Sequence, residues 1–475
     1  MEINREEKTL AQYWNFIEEF RGKKGLGMGD ARAYLSALVD IEVLNSGMDK
    51  NGLIPILEKV LSEKSNKNPS QDYEKVIAAW VEAEKEDLIK YLKKIKPPKI
   101  KSEKKLKKNG FSSISLFSGS FGLDLGFEYA GFEVGVALDI EPASEEIISA
   151  NRPKIPFILD DIVNVDTKTI LETAGIDKGD LDVLTGGPPC QPFSTAGKRE
   201  GLNDPRASPL TEYIRVINEA QPKVFVMEEV TGLLSARLTH IPIKERNNRK
   251  LLPEEEKGSV WKVITEELRK TGYNIRYETL NAADYGAPQN RKRVILIGVR
   301  PDIEIKIPLI PEPTHKKPNM SSLDQLHPWI NLQNSIMGIE PGECPDLSPK
   351  FKKYMPCVPP GGNWRQIPDD LKKEAMNNAF YAGGGKMGFY RRLCWFEQSP
   401  TLVTSPTMKS TMMVHPWEDR PISVNEYKVI QGFPIEWLLP GSVSNKYKKV
   451  GEAVPPTLSF AIAKNVRKIL KSDES

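Results

Sequence analysis

Long hydrophobic runs are missing from this 475-residue chain, and no apolar segment reaches the roughly 20 residues that a membrane-spanning helix needs. The N-terminus, Met-Glu-Ile-Asn-Arg-Glu-Glu-Lys, lacks the apolar core of a secretory signal. Cysteine is scarce: Cys190, Cys344, Cys357 and Cys394 form no C-x-x-C pair, so neither a zinc knuckle nor a disulfide framework is expected. Histidine is equally scarce, and His240, His315, His327 and His415 give no H-x-x-x-H ligand pair. No metal site is therefore expected. Neither sign of charge dominates, with 67 Lys and Arg against 64 Asp and Glu, a balance that permits nucleic-acid contact without requiring it. These absences describe a cytoplasmic, metal-free globular protein with no membrane contact, long enough for two or three domains.

Glycine and proline are plentiful, and where they cluster they mark the chemistry. Leu181-Asp182-Val183-Leu184 reads as a buried strand that runs into Gly-Gly-Pro-Pro-Cys-Gln-Pro-Phe-Ser-Thr, residues 186–195. A thiol on a stiff turn at the carboxyl end of a strand stands where open α/β sheets bind ligands, which makes Cys190 a candidate nucleophile. Upstream, Ile114-Ser-Leu-Phe117 reads as a strand followed by Gly119, Gly122 and Gly126, which let backbone approach a ligand at a helix start. A second strand, Phe132 to Leu138, ends in Asp139, and a third, Pro156 to Leu159, ends in Asp160-Asp161-Ile162. Three successive strand ends carrying a glycine loop, an acid and another acid describe an adenosine site. The spacing G-x-x-G-x-x-x-G differs from the G-x-G-x-x-G that seats a dinucleotide pyrophosphate.

Further along, Val224-Phe-Val-Met reads as a buried strand ending in Glu228-Glu229, and Arg291-Lys-Arg293 precedes the strand Val294 to Val299. A buried carboxyl beside a nucleophile can protonate a ring nitrogen, and burial raises a carboxyl pKa towards that role. Residues 301–400 are rich in Pro, Gly and Asn and poor in periodic runs. Residues 1–108 read as a helical extension ending in the lysine-dense run Lys93 to Lys108, which suits a solvated linker better than a DNA-binding face.

From about Ser113 to Leu470 these motifs, in order, resemble those of the DNA (cytosine-5)-methyltransferases of bacterial restriction–modification type. The resemblance rests on Leu-Phe-Ser-Gly-x-x-Gly at 116–122, Pro-Pro-Cys-Gln-Pro-Phe-Ser at 188–194 and Glu228-Glu-Val. It also rests on Asn-Ala-Ala-Asp-Tyr-Gly-Ala-Pro-Gln-Asn-Arg-Lys-Arg at 281–293, Ile430-Gln-Gly-Phe-Pro, and Val450-Gly-Glu-Ala-Val.

The resemblance implies an α/β fold: a Rossmann-like S-adenosylmethionine-dependent methyltransferase sheet, a smaller irregular target-recognition domain and the N-terminal extension. It implies domains at 1–108 (extension), 109–300 (catalytic and cofactor-binding), 301–400 (target recognition) and 401–475 (a return segment that completes the catalytic domain). It assigns Cys190 to attack carbon 6 of a flipped-out cytosine, Glu228 to N3, Arg293 to O2 and Arg291 to support of the site. It gives Phe117, Gly119, Asp139, Ile140, Asp161, Ile162 and Pro189 to S-adenosylmethionine, with Asp139 on the ribose and Ile162 on the adenine face. Ser194 and Arg206 would contact DNA phosphates.

The expected partners are double-stranded DNA and, as a genetic companion only, a cognate restriction endonuclease, with the enzyme a monomer. An RNA (tRNA) cytosine-5 methyltransferase and a catalytically silent DNA-binding protein of the same fold are the alternatives. Four positions depart from the family pattern: Ser115 for Asp, Phe121 for Gly, Glu229 for Asn and Glu452 for Asn. Phe121 is expected to crowd the methionine end of the cofactor.

Overall fold

The computed structural model describes residues 110–189, 208–239, 241–242, 246, 249–317, 326–381 and 386–473. The N-terminal extension, Cys190, Ser194 and Arg206 lie outside the described residues. The catalytic part is a seven-stranded sheet made of β1 (Ser112–Leu116), β2 (Glu133–Asp139), β3 (Phe157–Leu159), β4 (Val183–Gly186), β5 (Val224–Val230), β6 (Asn274–Asn281) and β7 (Lys292–Val299). Across the sheet the order is β3-β2-β1-β4-β5-β7-β6. The pairings from β3 to β5 are parallel, whereas β7 is antiparallel to both β5 and β6. The chain builds outwards from β1 to β3 and then returns to place β4 on the other side of β1. The order therefore reverses between β1 and β4, and the crevice above their carboxyl ends is where such a sheet takes ligands.

Helices cover both faces because the central strands are apolar on both. On one face α1 (Gly122–Tyr129) lies with the C-terminal helix, Pro456–Asp473. There Leu123, Phe127, Leu458, Ile462, Val466 and Ile469 pack on Val183, Val224, Val226, Ile295 and Ile297. On the other face α2 (Thr167–Ala174), α3 (Ser208–Ala220) and α4 (Ser259–Lys270) cover Ile114, Leu184, Phe225 and Met227. Among the described residues no helix is long and apolar enough to cross a membrane.

The contact between α1 and the C-terminal helix depends on Gly126. A Cβ there would stand 2.4 Å from the backbone nitrogen of Phe460 and 2.5 Å from the Ser459 Cβ, so the two helices meet backbone to backbone. Ser459 donates its hydroxyl to the Leu123 carbonyl across the same contact. Gly126→Ala must push the helices apart, at about 1–3 kcal/mol for overpacking. A drop in Tm of several degrees is expected, and an unchanged melting curve would refute this reading of the contact.

Two strands run further than their sequence implies. The ladder of β5 includes Glu228, Glu229 and Val230, and β7 starts at Lys292, with Val230 opposite Arg293 and Glu228 opposite Ile295. Charged side chains are tolerated because this end of the sheet opens on the crevice. A smaller core, from Leu347 through Phe351, Tyr354, Met376 and Tyr390 to Met412 and Val414, sits in the region expected to recognise the target. It continues beyond residue 400, whereas Ile303, Ile307, Leu309 and Ile310 pack on the catalytic sheet's second cluster.

The return segment carries α5 (Val424–Gln431), α6 (Val443–Glu452) and the C-terminal helix, hereafter α7. Of these, α6 carries Val450-Gly-Glu, the start of the last quoted motif.

Candidate active site

The loop after β1 coils tightly. Phe117, Gly119 and Phe121 all have positive φ, at 56°, 54° and 71°, and two of the three are strained non-glycine residues. Asp139, at the end of β2, holds this loop. Its Oδ2 accepts from the Gly119 N–H and its Oδ1 from the Glu141 N–H, each at 2.8 Å. The acid expected on a ribose is thus first a clamp between β2 and the glycine loop, and each oxygen keeps a second lone pair for a ligand.

Beside it Ile140 and Val163 expose apolar side chains, at 60% and 53%. Ile162, expected against a ring face, is 2% exposed and packs with the core cluster. Asp161 accepts from the Val163 N–H at 3.1 Å and caps the short turn Ile162–Asn164.

Phe121 is fully buried and stacks on Trp437, with centroids 6.2 Å apart and planes at 11°. Trp437 stacks in turn on Phe433 at 5.7 Å, and the Arg152 guanidinium lies 5.1 Å from the Trp437 ring. The return segment therefore supplies the surface that takes the large residue at 121. Its end also faces β2. Buried Lys449 donates to Ser144 at 2.7 Å and pairs with Glu141 at 2.5 Å, and Lys448 pairs with Glu141 at 2.9 Å. Burial, followed by the Glu141 and Asp139 carboxylates, pushes the Glu452 carboxyl up.

Across the crevice, β4 ends in Gly186, and Gly187-Pro188-Pro189 lead to position 190. A Cβ on Gly186 would meet the Tyr213 ring at 2.6 Å, and one on Gly187 would meet Glu228 Oε2 at 3.2 Å. The bare backbone of this turn thus brings the Glu228 carboxylate close to the approach to Cys190. Pro188 is buried and Pro189 exposed.

Glu228 and Arg293 form an ion pair, with Oε1 to Nε at 2.6 Å and side chains only 12% and 13% exposed. The contact is close without hydrogen-bond alignment, since Oε1 has no aligned donor, and Arg293 spends an Nη1 hydrogen on the Lys292 carbonyl. Strand alternation sends Glu229 to the other face, with Phe225 and Met227. It is 5% exposed, and burial, reinforced by Glu228, pushes its carboxyl well above the usual range. The substituted position thus carries a buried carboxyl that favours its neutral form.

Arg291 touches none of these groups. It is 1% exposed and donates to the carbonyls of Leu402 and Gly451 at 2.9 Å, with a longer approach to Glu452 at 3.4 Å. Burial, then neighbouring Arg293, pushes its pKa down to about 9. Gln289, fully buried two residues earlier, donates to the Ile430 carbonyl at 3.1 Å and to Gln431 at 2.5 Å, and accepts from the Leu402 N–H at 3.2 Å. Gln431 closes the knot on the Ala453 carbonyl. Gln289 and Gln431 lie inside quoted motifs, yet their polarity alone gave no sign that they are buried.

The family described as C-5 cytosine-specific DNA methylase matches residues 111–468, three quarters of the chain. The protein belongs to this family. Type II methyltransferase M.PspPI of Psychrobacter sp. (strain TA137) is 37% identical over 373 residues, which cover 76% of this chain and 80% of the relative. Type II methyltransferase M.Eco47II of Escherichia coli is 34% identical over 383 residues, covering 78% and 81%. Among solved structures, an Escherichia coli prophage-encoded protein (TM-score 0.52, 21% identity) and a mutant of Spodoptera frugiperda DNMT2 (TM-score 0.50, 15% identity) each cover 76% of this chain and 100% of their own. Both share the fold. The methylase is thus a DNA (cytosine-5-)-methyltransferase, which sets aside the silent-protein and RNA alternatives. The mostly parallel sheet is the expected α/β class. Among the described residues of the methylase, no group of three or more His, Cys, Asp or Glu is arranged to hold a metal ion.

Proposed function

We propose that this methylase modifies one cytosine within a specific double-stranded DNA sequence, through a covalent adduct of Cys190. The observation that carries the reading is the Glu228–Arg293 ion pair, set beside Gly187 on the turn that leads to Cys190. A base must leave the stack to be reached, at a cost of a few kcal/mol. The Cys190 thiolate then adds to carbon 6, forming the S–C bond, while the ring's electron pair moves towards N3 and O2. Glu228 protonates N3 and the Arg293 guanidinium takes charge at O2, so the two residues exchange each other for the ring. Carbon 5 becomes electron-rich. S-adenosylmethionine supplies the methyl group as an electrophile to that carbon. Loss of the carbon 5 proton to a base, with the N3 proton returning to Glu228, re-forms the ring double bond and expels Cys190 as thiolate.

The crevice fits an adenosine cofactor. Gly119 and the left-handed loop bring backbone close, Asp139 keeps lone pairs for ribose hydroxyls, and Ile140 offers an apolar face. Phe117, Asp161, Ile162 and Pro189 complete the proposed set, and Ser194 and Arg206 would hold phosphates. We assign catalysis to 109–300 with 401–475, and target recognition to the insert between them. Its core extends to Met412 and Val414.

The Type II relatives support a restriction–modification role. We further propose a companion nuclease encoded nearby, from which the methylation shields host DNA, and a monomeric, cytoplasmic enzyme. Bisulfite sequencing of plasmid DNA from expressing cells tests the reading. Protected cytosines confined to one short motif support it, and uniformly converted DNA from well-expressed protein would overturn it. Glu228→Gln keeps shape but cannot give up a proton, so kcat should fall about 10²–10³-fold with KM for DNA little changed. Near-normal turnover in a methyl-incorporation assay would remove Glu228 from the chemistry.

A further inference from the structure

Asp124 is a buried carboxyl that the mechanism above does not use. It sits in the first turn of α1, 2% exposed, directly after the glycine loop. Thr185, one residue before the end of β4, donates its hydroxyl to Asp124 Oδ1 at 2.8 Å. The Ser115 hydroxyl, on β1, lies close enough to the same carboxyl to lower its pKa. Ser115 Oγ lies 2.7 Å from Ser118 Oγ, and Ser118 also donates to the Leu138 carbonyl, at 3.2 Å. One carboxyl therefore ties together the ends of β1 and β4 and the start of α1. Through Ser118 it reaches the loop that carries Gly119. Burying a charge here is costly, and Asp124 is pushed up to about 6 by burial, with Glu128 adding to the rise. Hydroxyls alone could fill the space. A charge kept at such a cost in the floor of a ligand crevice points to a functional demand.

Position 115, where the resemblance gives aspartate, is serine here. We propose that Asp124 is the positioning acid of the cofactor loop, a buried charge supplied from α1. The inference rests on the proposed cofactor crevice. The acid acts through Ser115, Thr185 and Ser118, which set the loop, and as a negative charge beneath a cofactor that carries a sulfonium cation.

The test measures S-adenosylmethionine binding by calorimetry, with Tm measured alongside, on wild type, Asp124→Asn, Asp124→Ser and the exchange Ser115→Asp/Asp124→Ser. Asp124→Asn should bind about tenfold more weakly without losing Tm, because it removes a charge that burial penalises. Asp124→Ser should weaken binding similarly, and the exchange should return it to within about threefold of wild type, since it restores one buried charge between the same strand ends. The proposal is overturned if both single variants bind like wild type, or if the exchange binds no better than Asp124→Ser. It is also overturned if Asp124→Asn weakens binding only in step with a fall in Tm. Wild type that fails to bind S-adenosylmethionine would overturn the cofactor reading itself, a distinct result.

Discussion

The Cys190→Ala protein should bind duplex DNA and S-adenosylmethionine yet leave every cytosine unmethylated, a loss in turnover of at least about ten-thousandfold. The size follows from the chemistry of the ring. Carbon 5 of cytosine is a poor nucleophile until a group adds at carbon 6, and in the proposed mechanism Cys190 makes that bond. Glu228 and Arg293 only polarise the ring, and polarisation of a planar aromatic base does not replace a covalent bond to carbon 6. Gly186 leaves no room for a Cβ against the Tyr213 ring, and Gly187 brings the turn before Cys190 close to Glu228. Methyl incorporation into a plasmid substrate measures the loss. A duplex carrying 5-fluorocytosine separates the causes, because fluorine cannot leave as a proton does and the adduct persists. Wild type should be retained on that DNA after denaturation, and Cys190→Ala should not. Residual turnover within about a hundredfold of wild type would show that the thiol is not the nucleophile.

Arg291→Met carries the second large effect, on stability. The guanidinium is the buried donor to the Leu402 and Gly451 carbonyls, and methionine leaves those acceptors without partners in a closed site. Breaking a buried charged network in this way costs about 3–5 kcal/mol. Against the roughly 5–15 kcal/mol that holds a domain folded, that is enough to melt the return segment. Urea unfolding measures it. Arg291→Lys should recover less than half of the loss, because one ammonium cannot reach two diverging carbonyls as a planar fork does. A cost below about 1 kcal/mol would mean that the knot is held by Gln289 and Gln431 instead.

Much of this was legible in the chain because the informative signals were local. A strand that runs into glycines places Gly119, an acid ending the next strand places Asp139, and the Pro-Gln-x-Arg-x-Arg run places Arg293. What the sequence hid depends on distant partners. Phe121 looks obstructive until Trp437, more than 300 residues on, provides its stacking surface. Lys449 lies in the polar stretch Lys446-Tyr-Lys-Lys449, which reads as solvated, but Glu141 and Ser144 pay for its burial. Glu229 and Glu228 are neighbours in different surroundings, because a strand sends them to opposite faces: Glu228 meets Arg293, while Glu229 is buried with its carboxyl pushed up. The motif shows the place of Ile162 but not its burial, which comes from packing with residues of α2 and α3.

Pairing α7 with α1 has a consequence for synthesis on the ribosome. The sheet face formed by Val183, Val224, Val226, Ile295 and Ile297 is complete once β7 has emerged, but Leu458, Ile462, Val466 and Ile469 cover it from the other end of the chain. About 150 residues separate the two, so at ~5–20 residues per second that apolar face waits roughly 8–30 s for its cover. During that interval the nascent enzyme is a natural client for chaperones, and its recognition insert is free to fold first. Slowing translation between codons 300 and 456 should therefore lower the soluble yield without changing any residue of the finished protein.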